Sequence, residues 1–135
     1  MTEIAEGFKP ADFSGAYLEN SGPYYLKQEG GRWLVGLRVE EQHINYVGMV
    51  HGGMLSTLAD VAMSTQPYLA GPDRPSITTT SMTTNFLTAA RLGDWLVADA
   101  RITRMGKRTA HVQGEIYRDE EIVLTMSGVF GIYRG

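Results

Sequence analysis

Between residues 52 and 69 the chain reads GGMLSTLADVAMSTQPYL, and no other stretch of its 135 residues offers a comparable long, apolar helix. Gly71, Pro72 and Pro75 end the run. On either side the pattern changes to period two, the spacing of strands with one buried face. Upstream, PYYLKQEGGRWLVGLRVEEQ makes two strands joined at Gly30-Gly31. In the second, Trp33, Val35, Leu37 and Val39 alternate with Leu34, Gly36, Arg38 and Glu40. Downstream, SITTTSMTTNFLTA is rich in β-branched residues that disfavour a helix. DWLVADARITRM, RTAHVQGEIYRD and EIVLTMSGVFGIYR follow, with turns at Met105-Gly106-Lys107 and Asp119-Glu120. Residues 1 to 22 read as a loosely ordered lead-in with a short helical turn from Pro10 to Tyr17. Two strands, one long helix and a four-strand meander make an α+β chain, an antiparallel sheet curled round a central helix in one domain over residues 1–135.

On that helix Met54, Leu55, Leu58, Ala59, Val61, Ala62, Met63 and Leu69 point in nearly every direction, leaving no broad face for water. One sheet cannot cover such a helix on all sides, so a second copy of the chain is the expected cover. The exception is an ordered polar row. Ser56, Asp60 and Ser64, at i, i+4 and i+8, share one line, with Thr57 beside it. The hydroxyls are expected to bond backbone carbonyls. A mid-helix carboxylate among apolar neighbours is costly to bury and marks function unless an arginine meets it.

Gly52 and Gly53 stand where the helix begins. Helix starts expose unpaired N–H groups with partial positive charge, and glycine lets a ligand come close to them. Such a start can bind an anion or stabilise an oxyanion, although a bare Gly-Gly pair serves a tight turn equally well. Gly52 and Asp60 are eight residues apart, about 12 Å along an α-helix. A general base has to lie within about 3 Å of its water, and the water about as close to the carbonyl carbon it attacks. One helix cannot bring both groups to one bond. Two helices packed antiparallel about a two-fold near Ser56 can, with Gly52 of one chain facing Asp60 of the other.

Composition removes several alternatives. With 43% hydrophobic and 20% charged residues and a net charge of −3, the chain is globular in type and lacks the basic excess of nucleic-acid binders. Cysteine is absent, which excludes disulfides, a thiol nucleophile and thiolate metal ligands. The three histidines, His43, His51 and His111, are scattered without a carboxylate cluster, so neither a metal site nor a cofactor is expected. No apolar run approaches the ~20 residues of a membrane span. The start, MTEIAEGFKP, lacks the basic end and apolar core of a signal peptide. The expected location is cytoplasmic. GKRT, from Gly106, is not a P-loop, since the upstream glycine is missing and Arg108 takes the Ser/Thr position.

Asn45, His51, Gly52, Gly53 and Asp60, within NYVGMVHGGMLSTLADVAM, resemble the signature of hotdog-fold acyl-CoA thioesterases, in particular the phenylacetyl-CoA (PaaI-like) branch. The likeness continues through TTTSMTTNFLTAARLGDWLVADARITRMGKRTA and covers nearly all the chain after about residue 30. It implies a hotdog fold, a curved antiparallel sheet wrapped round the helix, with dimers joined through a continuous sheet and often paired into tetramers. It also implies metal-free hydrolysis of an acyl-CoA thioester. By position, the Gly52 N–H would polarise the thioester carbonyl, and the partner's Asp60 would activate water or attack directly. Asn45 would orient the thioester or the water, and His51 would support its loop. A hydroxyl on the strand after the helix would assist the water; Thr79 matches best, with Thr78 and Thr80 beside it. Gly53 and Ser56 would border the substrate.

The cationic cluster Arg101, Arg104, Lys107 and Arg108 surrounds one strand turn, and Lys107 and Arg108 suit the phosphates of CoA at a pocket mouth. Phe86, Leu87, Met54, Met63 and Tyr68 could line an apolar pocket for an aryl or medium-chain acyl group, or pack in the core. The rival function is a non-catalytic dimer that binds acyl-CoA as a sensor or carrier, since fold alone does not fix activity. A hydratase on the same fold would pair a catalytic histidine with a carboxylate in a motif this chain lacks.

Overall fold

The computed structural model describes residues 4–134. In chain order these form β1 (Lys9–Pro10), α1 (Ala16–Ser21), β2 (Tyr25–Glu29), β3 (Arg32–Arg38), a 3-10 turn (Glu41–His43), α2 (Gly52–Tyr68), β4 (Ser76–Phe86), β5 (Trp95–Met105), β6 (Thr109–Arg118) and β7 (Glu121–Tyr133). The β2–β3 hairpin turns at Gly30 and Gly31, whose φ angles of 59° and 78° suit a two-residue turn that few other residues can make. The strands form one antiparallel sheet in the order β1-β2-β3-β5-β6-β7-β4. Its inner face presents Val35 and Leu37, Leu96, Ala98 and Ala100, Val112 and Ile116, and Phe130 and Ile132 to Leu58, Ala59, Ala62 and Met63 of α2.

The four-strand meander expected after the helix is a three-strand one. Only β5, β6 and β7 follow one another in the sheet, while β4 pairs with β7 at the far edge and β5 pairs with β3. The helix explains the displacement. Seventeen residues span about 25 Å, enough to cross the four strand spacings, about 19 Å, that separate β3 from β4. Residues 87–94 then return across the open end of the curled sheet. Leu87 bonds Val123, Val50 bonds Ala90, and Val39 bonds both Gly93 and Asp94 through their backbones. That return leaves the start of α2 ringed by two loops, 44–50 and 87–94.

The lead-in is part of the fold. Residues 1–3, like Gly135, lie outside the described residues, but β1 extends the sheet beside β2 and the helical turn falls at Ala16–Ser21 rather than Pro10 to Tyr17. Phe13 and Leu18 pack against the core, and Tyr24 is buried in it. This corrects the argument that only a second chain could cover α2. Sheet and lead-in together bury Met54, Leu55, Leu58, Ala59, Val61, Ala62 and Met63 within one chain. Besides Tyr68 at its end, α2 leaves in view its start and the polar row of Ser56, Thr57, Asp60 and Ser64.

Candidate active site

The start of α2 is held by histidines. His51 is the N-cap, with extended backbone at φ −61° and ψ 137°, and its Nδ1 accepts the Gly53 N–H at 2.9 Å. The His51 N–H in turn bonds the carbonyl of His43 at 2.9 Å. His43 is buried; its Nδ1 accepts the Glu40 N–H at 2.9 Å and its Nε2 donates to the Ser21 carbonyl at 2.6 Å. The outcome differs for the two glycines. The Gly53 N–H is committed to the cap, so Gly53 has no backbone donor for a substrate. The exposed Gly52 N–H has no acceptor among the described residues. It is the available donor at the positive end of the helix.

Asn45 lies in the loop leading to that start. Its Oδ1 accepts the N–H groups of Val47 and Met49, each at 3.0 Å, which folds the loop around the side chain. The carbonyl oxygen is thus occupied internally, leaving the amide NH₂ as the half of Asn45 that can meet a ligand. Phe86 stands over the same spot, its ring 3.8 Å from where a side-chain carbon on Gly52 would be.

Further along α2, Asp60 meets a hydroxyl and not an arginine. Thr79 Oγ1 donates to Asp60 Oδ1 at 2.5 Å, and Asp60 holds no ion pair among the described residues. The carboxylate is half-exposed in the single chain, not buried as its apolar neighbours imply. Of the three adjacent threonines, Thr79 alone reaches it. Thr78 sits opposite Gly131 with its hydroxyl against that glycine, and Thr80 falls in the bulge between Thr79 and Ser81. Thr57 and Ser64 bond backbone carbonyls as expected, to Gly53 at 2.9 Å and Val61 at 3.3 Å, whereas Ser56 bonds none among the described residues.

These groups divide between two grooves. Ser56, Thr57, Asp60 and Thr79 share one of about 340 Å³ with Val61 and Met82. His51 and Gly53 border another of about 430 Å³ with Gln42 and Met54. Of the apolar pocket candidates, Met63 and Met54 belong to the core, while Phe86, Leu87 and Tyr68 are exposed. Lys107 and Arg108 are exposed and form no ion pair among the described residues. They lie two strands from the Asp60 groove, because Thr79 faces Phe130 and Phe130 faces Ala110, a lateral step of about 10 Å.

One residue of this site is missing from the sequence reading. Tyr17, on α1, bonds Thr57 at 2.7 Å and borders both grooves. Three apolar residues, Phe13, Tyr17 and Leu18, are too few to mark it in the sequence.

Similar proteins share this fold. The thioesterase superfamily model matches residues 47–125, more than half of the chain. A candidate esterase of Pseudomonas aeruginosa is 37% identical over 132 residues, covering 96% of this chain and 98% of that one. Human acyl-coenzyme A thioesterase 13 is 31% identical over 80 residues, 59% of this chain and 56% of its own length. Among solved structures, the PaaI protein of the E. coli phenylacetic acid degradation operon superposes with a TM-score of 0.79 at 25% identity, covering 90% of this chain and 87% of that one. A Bacillus halodurans protein solved with CoA gives 0.79 at 28% identity, over 93% and 83% of the two chains. By family match, sequence identity and shared fold, this chain belongs to the thioesterase superfamily and is a thioester hydrolase with a hotdog fold.

Proposed function

We propose that this protein hydrolyses an aryl- or medium-chain acyl-CoA to the free acid and CoA, at sites each shared by two copies of the chain. The observation that carries the reading is the Thr79–Asp60 hydrogen bond on the exposed polar row of α2, with the unpaired Gly52 N–H about 12 Å away along the same helix. In a dimer with antiparallel helices, Gly52 of one chain donates to the thioester oxygen, where negative charge builds up during attack. Asp60 of the other chain takes a proton from water, or attacks the carbonyl carbon itself, and Thr79 fixes which carboxylate oxygen is free to do so. The Asn45 amide donates to the thioester or the water from the loop beside Gly52. His51 positions Gly52 by holding the cap, and Ser56 offers an uncommitted hydroxyl between the two groups.

Edge chemistry supports the dimer. β4 closes the sheet, and its eleven residues, SITTTSMTTNF, include no charge and no proline. Edge strands usually carry such residues to prevent pairing, so β4 is open to join its counterpart in a second copy and continue the sheet. Two such dimers form the proposed tetramer. Substrate class rests on the relatives: one is named an acyl-coenzyme A thioesterase and one neighbour was solved with CoA. Lys107 and Arg108, which form no ion pair among the described residues, are the proposed contacts for CoA phosphates. No helix among the described residues is long and apolar enough to cross a membrane, and the proposed setting is the cytoplasm.

The test is thiol release from a panel of aryl and straight-chain acyl-CoAs by wild type and Asp60→Asn. The expected outcome is release by wild type and a loss of about 10²–10⁴-fold in the variant. Binding of acyl-CoA without release from any substrate would instead favour the sensor or carrier.

A further inference from the structure

We propose that Tyr17 and Leu18, neighbours on α1, form the acyl-binding wall opposite Asp60 and set which acyl groups the protein accepts. The inference rests on Asp60 marking the reacting carbon. It starts from where these two side chains stand. From α1, Tyr17 and Leu18 line the groove that holds Asp60, Thr79 and Ser56, together with Val61 and Met82. A carboxylate and hydroxyls at one wall, with aromatic and aliphatic carbon at the other, suit an acyl group whose carbonyl end is polar and whose tail is not.

Tyr17 is held in place although its side chain is 66% exposed. Thr57 donates its hydroxyl to the Gly53 carbonyl, so the Tyr17 O–H donates to Thr57 Oγ1 at 2.7 Å. The bond fixes the ring as a partition between the groove of Asp60 and the groove of His51 and Gly53.

Leu18 is a partition on the other side. Beyond it lies a second, larger cavity of about 710 Å³, between the lead-in, the end of α2 and the start of β4, reaching Tyr68 and Arg74. Leu18, Asp60 and Val61 border both spaces. Because Asp60 borders both spaces, an acyl group held at its carboxylate can extend to either side of Leu18. A long straight chain that runs from the groove into the far cavity lies against the isobutyl group, which in this way limits acyl length, and its removal widens the junction between the two spaces.

The experiment measures binding and turnover separately. Analogues of phenylacetyl-CoA and dodecanoyl-CoA with a methylene in place of the thioester sulfur are titrated calorimetrically into wild type, Tyr17→Phe, Tyr17→Ala, Leu18→Ala and Leu18→Phe, and thiol release from the true substrates follows. Leu18→Ala should raise the dodecanoyl to phenylacetyl affinity ratio by about tenfold, through newly buried methylenes. Leu18→Phe should lower it, and still decides the matter if Leu18→Ala fails to fold. Tyr17→Ala should weaken the phenylacetyl analogue by about tenfold, while Tyr17→Phe, which keeps the ring but loses the bond to Thr57, should weaken it by about threefold. Folded variants with the wild-type ratio, or a wild type that binds neither analogue, overturn the proposal. Analogues discriminated as expected without thiol release from any substrate would count against hydrolysis and leave the acyl wall standing.

Discussion

A backbone N–H is ordinarily beyond the reach of mutation, yet position 52 permits its removal. Gly52 opens α2, where proline is well tolerated, and His51 before it already has the extended backbone that a following proline requires. A side-chain carbon there meets the Phe86 ring at ordinary contact distance. Gly52→Pro should therefore keep the fold and its melting temperature while thiol release falls by about 10²–10³-fold, the usual cost of one oxyanion donor. Thr79→Val removes the hydrogen bond that orients the Asp60 carboxylate, so kcat should fall by about tenfold to a hundredfold through misplacement of the base; Thr78→Val and Thr80→Val should be close to neutral in the same assay. At this scale the sequence suggests which groups to consider more readily than which atoms are free. Gly52 and Asp60 stand out by type and spacing, and Asn45 and His51 by their resemblance to the family signature. The commitment of Gly53 to the His51 ring, and the selection of Thr79 by a bulge in β4, depend on backbone geometry that residue type does not encode.

Each element of the site does one job. In the proposed shared site α2 joins the two half-sites rigidly, and its buried face anchors them. Leu58 is fully buried in that face, so Leu58→Ala should cost about 2–5 kcal/mol in denaturant unfolding. β4 offers the pairing edge. Lysines in place of Ser81 and Thr83, both exposed on that edge, would face their symmetry mates across the two-fold. Sedimentation velocity should then show monomers, with thiol release lost together with the dimer. The extents of α2 and of the strands are close to those read from periodicity, because period and breakers are local properties. The place of β4 is not local. It follows from how far seventeen helical residues carry the chain across the sheet. The packing of the lead-in is not local either: Phe13 and Leu18 are too few to form a pattern, and their value comes from the core they pack against.

For the whole molecule, the single chain buries the apolar side of its helix without help, so hydrophobic cover is not what calls for a second copy. The proposed second copy rests on chemistry: a donor without an acceptor among the described residues and a half-exposed carboxylate lie on one rigid helix, too far apart to act on one bond. Co-expression of Gly52→Pro and Asp60→Asn chains under two different tags isolates the mixed dimer, which tests that claim directly. Each parent homodimer lacks one group at both of its sites. The mixed dimer joins the intact Gly52 of one chain to the intact Asp60 of the other at one of two sites, and should recover about half of wild-type thiol release. A mixed dimer as inactive as its parents would mean that each chain builds its site alone, and would contradict the shared site.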